Sequence, residues 1–208
     1  MITLEGVSKR YIKHWIFKDI SYKFLAGQSY AILGANGSGK STLLRVIGSM
    51  LSPSKGTITY PYINKNISTD TIYKHLTYCA PGMDIIEEMT LFEFFNFHFK
   101  FKKNINNIAI NDLIDICQLD HAKNQLIRDY SSGMRQRVKL AQAFFSESSL
   151  ILLDEPCTNL DNAGITLYQS WLSNYGNIHD RITIIASNDE REYSSIPIEN
   201  IITVSQYK

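Results

Sequence analysis

Residues 34–41 read GANGSGKS. Glycines at Gly34, Gly37 and Gly39, then Lys40 and Ser41, suit the capture of a chain of phosphates. Glycine lets backbone N–H groups turn inward without Cβ clashes, and many donors in a small concave space are what an anion needs. Thr42 and Ser41 open a helix whose positive dipole end adds to the field. Asn36, Gly37, Ser38, Gly39, Lys40, Ser41 and Thr42 are the candidate phosphate contacts. Lys40 would supply a point charge to the outer phosphates, and Ser41 a hydroxyl for a magnesium ion. The alternative is a glycine-rich turn that fits the spacing by chance. The apolar strand before the motif and the helix after it argue against that alternative.

Residues 150–155 read LILLDE: an apolar strand ending in two acids, Asp154 and Glu155. Strand ends are where open α/β sheets place their ligands. Adjacent strand residues point opposite ways, so the two acids can divide the work. Asp154 would hold magnesium through its water shell, and Glu155 would polarise an attacking water as general base. Residues 130–137, YSSGMRQR, place Ser131, Ser132 and Gly133 at the start of a helix. That makes a second anion-binding helix terminus or, read more plainly, an ordinary N-cap.

The elements that must position these residues follow from periodicity. Strands are expected at 2–7, 20–24, 28–33, 57–60, 76–79, 150–153, 182–186 and 200–204. Helices are expected after the glycine loop to about Gly48, and over 90–101, 108–118, 132–146 and 162–174. Strands alternating with helices argue for an α/β core, and the helices between residues 90 and 130 read as an insertion.

Taken together, the motifs resemble the ATP-binding cassette (ABC) ATPase family over essentially the whole chain. GANGSGKS matches the Walker A loop and LILLDE the Walker B strand. YSSGMRQR resembles the signature motif, and TNLD at 158–161 matches the D-loop. Tyr11, about 23 residues before Walker A, sits where the family's adenine-stacking aromatic lies. The resemblance implies an α/β P-loop NTPase (RecA-like) core with a mostly parallel sheet, a small antiparallel subdomain from the N-terminal strands and an inserted helical subdomain at about 82–133. All of this lies in a single domain, 1–208. It also implies ATP and Mg²⁺ as ligands and a head-to-tail dimer with a second ATP-binding subunit, identical or different. The expected function is the ATPase subunit of a membrane transporter, driving separate transmembrane subunits from the cytoplasmic face of the cell membrane. The rival readings are a non-transport ABC ATPase and a slowly hydrolysing regulator. Length and signature style also resemble the compact cassettes of bacterial exporters, including the haem-exporter type.

The sequence departs from the family pattern in places. By counting back from Met89, the usual glutamine after the strand ending at Cys79 falls on Pro81, which has no side-chain carbonyl and no N–H. The usual switch histidine is Asn188, which can bond a γ-phosphate oxygen but carries no titratable charge. Asn188 is therefore expected to touch the γ-phosphate while basal hydrolysis runs slowly, with Glu155 retained as base. Ser132 and Met134 replace a common glycine and glutamine.

Composition bounds the partners. Lys+Arg number 21 and Asp+Glu 20, with no long basic block, so the electrostatic footprint of a nucleic-acid binder is missing. Cys79, Cys117 and Cys157 are far apart and fit a reducing compartment. The N-terminus lacks the apolar core of a secretory signal, and no apolar run approaches the ~18 residues of a membrane span. Residues 91–101, LFEFFNFHFKF, hold six phenylalanines, too many for one helical face. They read either as the core of a helical subdomain or as a groove for a helix of a membrane partner. The lysines at 100, 102 and 103 read as a solvated face. His98 and His121 are given no role.

Overall fold

The computed structural model describes residues 1–62, 65–67 and 69–208. Two sheets organise it. The central sheet has five strands in the order β6-β7-β8-β3-β9, every pair parallel. These are β3 (Ser29–Leu33), β6 (Leu76–Cys79), β7 (Leu150–Asp154), β8 (Ile182–Ser187) and β9 (Ile201–Thr203). The second sheet is antiparallel, in the order β2-β1-β4-β5, from β1 (Ile2–Tyr11), β2 (His14–Phe24), β4 (Lys55–Tyr62) and β5 (Lys65–Ile67).

The apolar runs in β3, β7 and β8 are explained by burial on both faces. Leu150, Leu152, Ile184, Ile32 and Tyr30 face one core, which they share with the antiparallel sheet and with α1 (Lys40–Ile47). Ile151, Leu153, Ile185 and Ala31 face the other, against the helices α2 (Leu91–Phe101), α3 (Ile110–Ile116), α4 (Ser132–Phe145) and α5 (Asn162–Tyr175). A short helix, α6 (Glu190–Tyr193), follows β8.

The expected elements are present with shifted edges. β1 and β2 run far longer than the expected 2–7 and 20–24, because they form one hairpin. Register shifts between Leu4 and Arg10 break the two-residue alternation that marks a strand. The hairpin turns at Ile12 with φ 53°, at a residue type that gives no turn signal. α3 is shorter than 108–118, since Ala109 is extended and Gln118 has φ 57°. Between β6 and β7 the named elements are all helical, and this stretch includes α2, α3 and α4.

The phenylalanine segment is in part core. Leu91, Phe94 and Phe95 are buried and Phe99 packs against them, whereas Phe92, Phe97 and Phe101 are exposed. A reciprocal capping box of Thr90 and Glu93 starts this helix. His98 is a half-buried polar group: its Nε2 lies 2.8 Å from Ser146 Oγ and its Nδ1 3.2 Å from Gln142 Nε2.

Candidate functional site

Strand order brings the chemistry to one edge. β7, β8 and β3 are neighbours, and in register Leu33 pairs with Ser187 and Asp154 with Ala186. The residues that follow, namely the 34–41 loop, Glu155 and Asn188, therefore emerge side by side beyond the carboxyl ends of the sheet.

The loop encloses a cavity of about 320 Å³ lined by Ile16, Asn36, Gly37, Gly39, Lys40, Ser41, Thr42 and Glu155. Gly39 has φ 107°, and a Cβ there would collide with the Ile16 side chain, so both backbone and space demand glycine. Ile16 lies on β2 and carries no sequence signal for this contact. The Lys40 ammonium donates to the loop's own carbonyls, Gly34 O at 2.8 Å and Ala35 O at 3.4 Å. Ser38 Oγ is buried with no hydrogen-bond partner. Ser38 is not among the cavity-lining residues; a positive charge resting on loop carbonyls and a glycine-lined hollow fit a phosphate chain.

On the inner side, Ser41 Oγ donates to Asp154 Oδ1 at 2.9 Å, and Tyr78 Oη donates to Asp154 Oδ2 at 3.4 Å. Asp154 is buried. Burial raises its pKa, the Ser41 bond opposes this, and the Glu155 charge adds to the rise. A hydroxyl and a carboxylate at bonding distance are hard oxygen donors, the set that suits Mg²⁺. Tyr78 and the Arg45 guanidinium behind it, 3.4 Å away, went unseen in the sequence. Their partners are far off in the chain.

Glu155 differs from expectation in one respect. It diverges from Asp154 not by strand alternation but because it has left the strand: its φ is 46°, and its N–H donates to Ala186 O at 2.9 Å. Such a conformation persists only where its surroundings impose it. Asn188 donates from Nδ2 to Asn36 Oδ1 at 2.5 Å, which sets it against the phosphate loop. Pro81 lies beyond β6 and is exposed, its carbonyl accepting from Lys139 at 3.3 Å.

Four candidates lie elsewhere. Ser131 caps α4, its Oγ accepting the Met134 N–H at 3.2 Å. Ser131, Ser132 and Gly133 are not among the residues lining the cavity. They adjoin the 158–161 loop instead, where a Cβ on Gly133 would stand 2.9 Å from Asn159 O. α4 is bolted to residues 156–161 by Gln136, which donates to Pro156 O at 2.8 Å, and by Arg137, 3.1 Å from Asp161 Oδ1. Tyr11 ends β1, 46% exposed, with the Lys9 ammonium 5.3 Å over its ring; it too is outside the cavity lining.

A family model described as "ABC transporter" matches residues 17–158. The chain belongs to the ABC transporter family. Among its relatives, the sulfate/thiosulfate import ATP-binding protein of Mesostigma viride is 30% identical over 97% of this chain and 58% of its own length. The bacitracin transport ATP-binding protein of Enterococcus faecalis is 26% identical over 94% of this chain and 64% of its own. The chain thus spans less than two thirds of either relative. The ABC fold is matched by a putative ABC transporter ATP-binding protein from Pyrococcus furiosus, with a TM-score of 0.81 at 20% identity, covering 100% of this chain and 98% of that one. An ATP-binding cassette solved as a post-hydrolysis dimer with ADP and phosphate matches with a TM-score of 0.75 at 22% identity, over 91% and 88% of the two chains.

Proposed function

We propose that this chain is the ATP-binding and ATP-hydrolysing subunit of an ABC membrane transporter. The observation that carries the reading is the Ser41–Asp154 pair at 2.9 Å beside Lys40, with Glu155 lining the same cavity. Lys40 and the loop N–H groups would bind the triphosphate, and Ser41 and Asp154 would hold Mg²⁺, which neutralises charge on the phosphates. Glu155 would take the proton of the attacking water, and Asn188 would bond the γ-phosphate. Tyr11 would stack on the base from the tip of the β1–β2 hairpin.

Ser131, Ser132 and Gly133 lie apart from the chain's own phosphate cavity, so they would serve the cavity of a second ATP-binding subunit. A helix terminus supplied across the interface completes the donors around the γ-phosphate, and ATP then holds the two subunits together until it is hydrolysed. None of the helices among the described residues is long and apolar enough to cross a membrane. In this reading, movement of cargo falls to transmembrane subunits, with this chain docked on their cytoplasmic face.

The contact of Asn188 with Asn36, where a titratable histidine is usual in the family, favours slow basal turnover and keeps the regulator reading as second choice. Steady-state hydrolysis of Mg–ATP by wild type and by Glu155→Gln decides between them. Loss of a general base should cost at least about a hundredfold in rate, with Mg–ATP binding retained. A rate unaltered by the substitution would support the regulator. A wild-type rate of about 1–100 s⁻¹, typical of kinases, would contradict slow basal turnover.

A further inference from the structure

Glu192 is a charged residue that the reading above leaves unused. It sits in α6, 3% exposed, behind the reacting edge of the sheet. Its Oε1 accepts the Cys157 N–H at 2.6 Å. Its main-chain carbonyl accepts Tyr168 Oη of α5 at 2.8 Å. Cys157 lies two residues beyond Glu155, and Glu192 lies four residues after Asn188, on the helix that follows it. One buried carboxylate thus ties the helix behind Asn188 to the segment that carries Glu155.

We infer that Glu192 is a positioning residue: its carboxylate holds the Glu155 loop and the helix behind Asn188 at the separation hydrolysis needs. The inference rests on the ATPase reading given above.

The surroundings make this clamp responsive. The groups acting on Glu192 are Asp189 and Arg191 near its own helix, Glu155 and Cys157 from the loop after β7, and Tyr168 from α5. Arg191 is spent on Asp189, 2.6 Å away. Burial, the largest cause, pushes the Glu192 carboxyl up to about 7. The Ser187 hydroxyl is engaged by Asp189, accepting its N–H at 2.8 Å and donating to its carbonyl at 3.1 Å. Protonating Glu192 therefore acts on the Cys157 N–H: a neutral acid is a weaker acceptor than a carboxylate, which loosens the tie between the helix behind Asn188 and the Glu155 loop.

The test combines two measurements on the intact chain. Without nucleotide, the Cys157 amide proton, followed by NMR, should titrate with a midpoint near 7 in wild type and stay flat in Glu192→Gln. In Mg–ATP hydrolysis, Glu192→Ala should lower kcat about tenfold or more, as loss of a supporting partner does, with KM nearly unmoved. Glu192→Gln keeps a carbonyl acceptor for Cys157, folds without a buried charge, and should recover most of that loss. A Cys157 amide that does not titrate, a Glu192→Ala rate equal to wild type, or a matched fall in both variants confined to KM would overturn the inference. If wild type itself hydrolyses no ATP, the ATPase reading fails and takes this inference with it. That outcome is told apart by the missing wild-type rate.

Discussion

Gly133→Ala sets local propensity against tertiary space. Alanine in place of a helical glycine ordinarily stabilises by about 0.5–1 kcal/mol, and near a helix terminus the smaller figure applies. Gly133 is the second residue of α4, so propensity alone predicts a gain. The structure predicts a loss. A Cβ at this position would stand 2.9 Å from the carbonyl oxygen of Asn159. That oxygen cannot rotate aside, because it belongs to a backbone turn closed by Thr158 N to Glu155 O at 3.1 Å and Leu160 N to Cys157 O at 3.0 Å. Overpacking of this kind costs about 1–3 kcal/mol. Setting about 2 against about 0.5 leaves a net destabilisation of about 1.5 kcal/mol, or about 5 °C in Tm for a chain of this size. Thermal unfolding followed by circular dichroism measures it, with Ser132→Ala, exposed at the neighbouring position, as the reference. A Gly133→Ala variant that melts higher than wild type would refute the claim that α4 and the 158–161 loop are in backbone contact.

Two further outcomes follow from the same geometry. Asp154→Asn should weaken Mg–ATP binding about 10–100-fold while leaving ATP binding in a metal chelator unchanged; calorimetry with and without Mg²⁺ separates the two, and an equal effect in both would remove Asp154 from the metal site. His98, whose burial and nearby Lys102 charge depress its pKa to about 4, is bound neutral. The unfolded chain takes up its proton first, so this contribution is complete above the ordinary value of 6.5 and lost as pH falls toward 4. The wild-type advantage over His98→Gln should therefore shrink by up to about 3 kcal/mol across that window, read by urea unfolding at each pH. A difference that does not change with pH would show that His98 is charged in the fold.

Much of the site was legible because its signals are local. GANGSGKS carries its own glycines, lysine and hydroxyl, and LILLDE ends a strand whose apolar run announces burial on both faces. The edges of β6, α4 and α5 came within a residue or so for the same reason. What was not legible depends on contacts across the chain. Ile16 crowds Gly39 from β2, Tyr78 reaches Asp154 from β6, and Gln136 ties α4 to Pro156 over a span of 20 residues. No pattern around those residues encodes their partners. The long β1–β2 hairpin was hidden by its own register shifts, which spoil the alternation used to recognise strands. Glu155 stood in the right place for the wrong reason, since a left-handed turn and not strand pleating aims it into the cavity.

The central claim is that the 34–42 loop grips a nucleotide's phosphates with its amides and the Lys40 ammonium. Isothermal titration of Mg–ATP into wild type and into Lys40→Ala tests it most directly. Binding to wild type should be saturable and one-site, and should weaken at least about tenfold in the variant, a loss of about 1.4 kcal/mol. No heat of binding to wild type, or equal affinity in the two proteins, would contradict it.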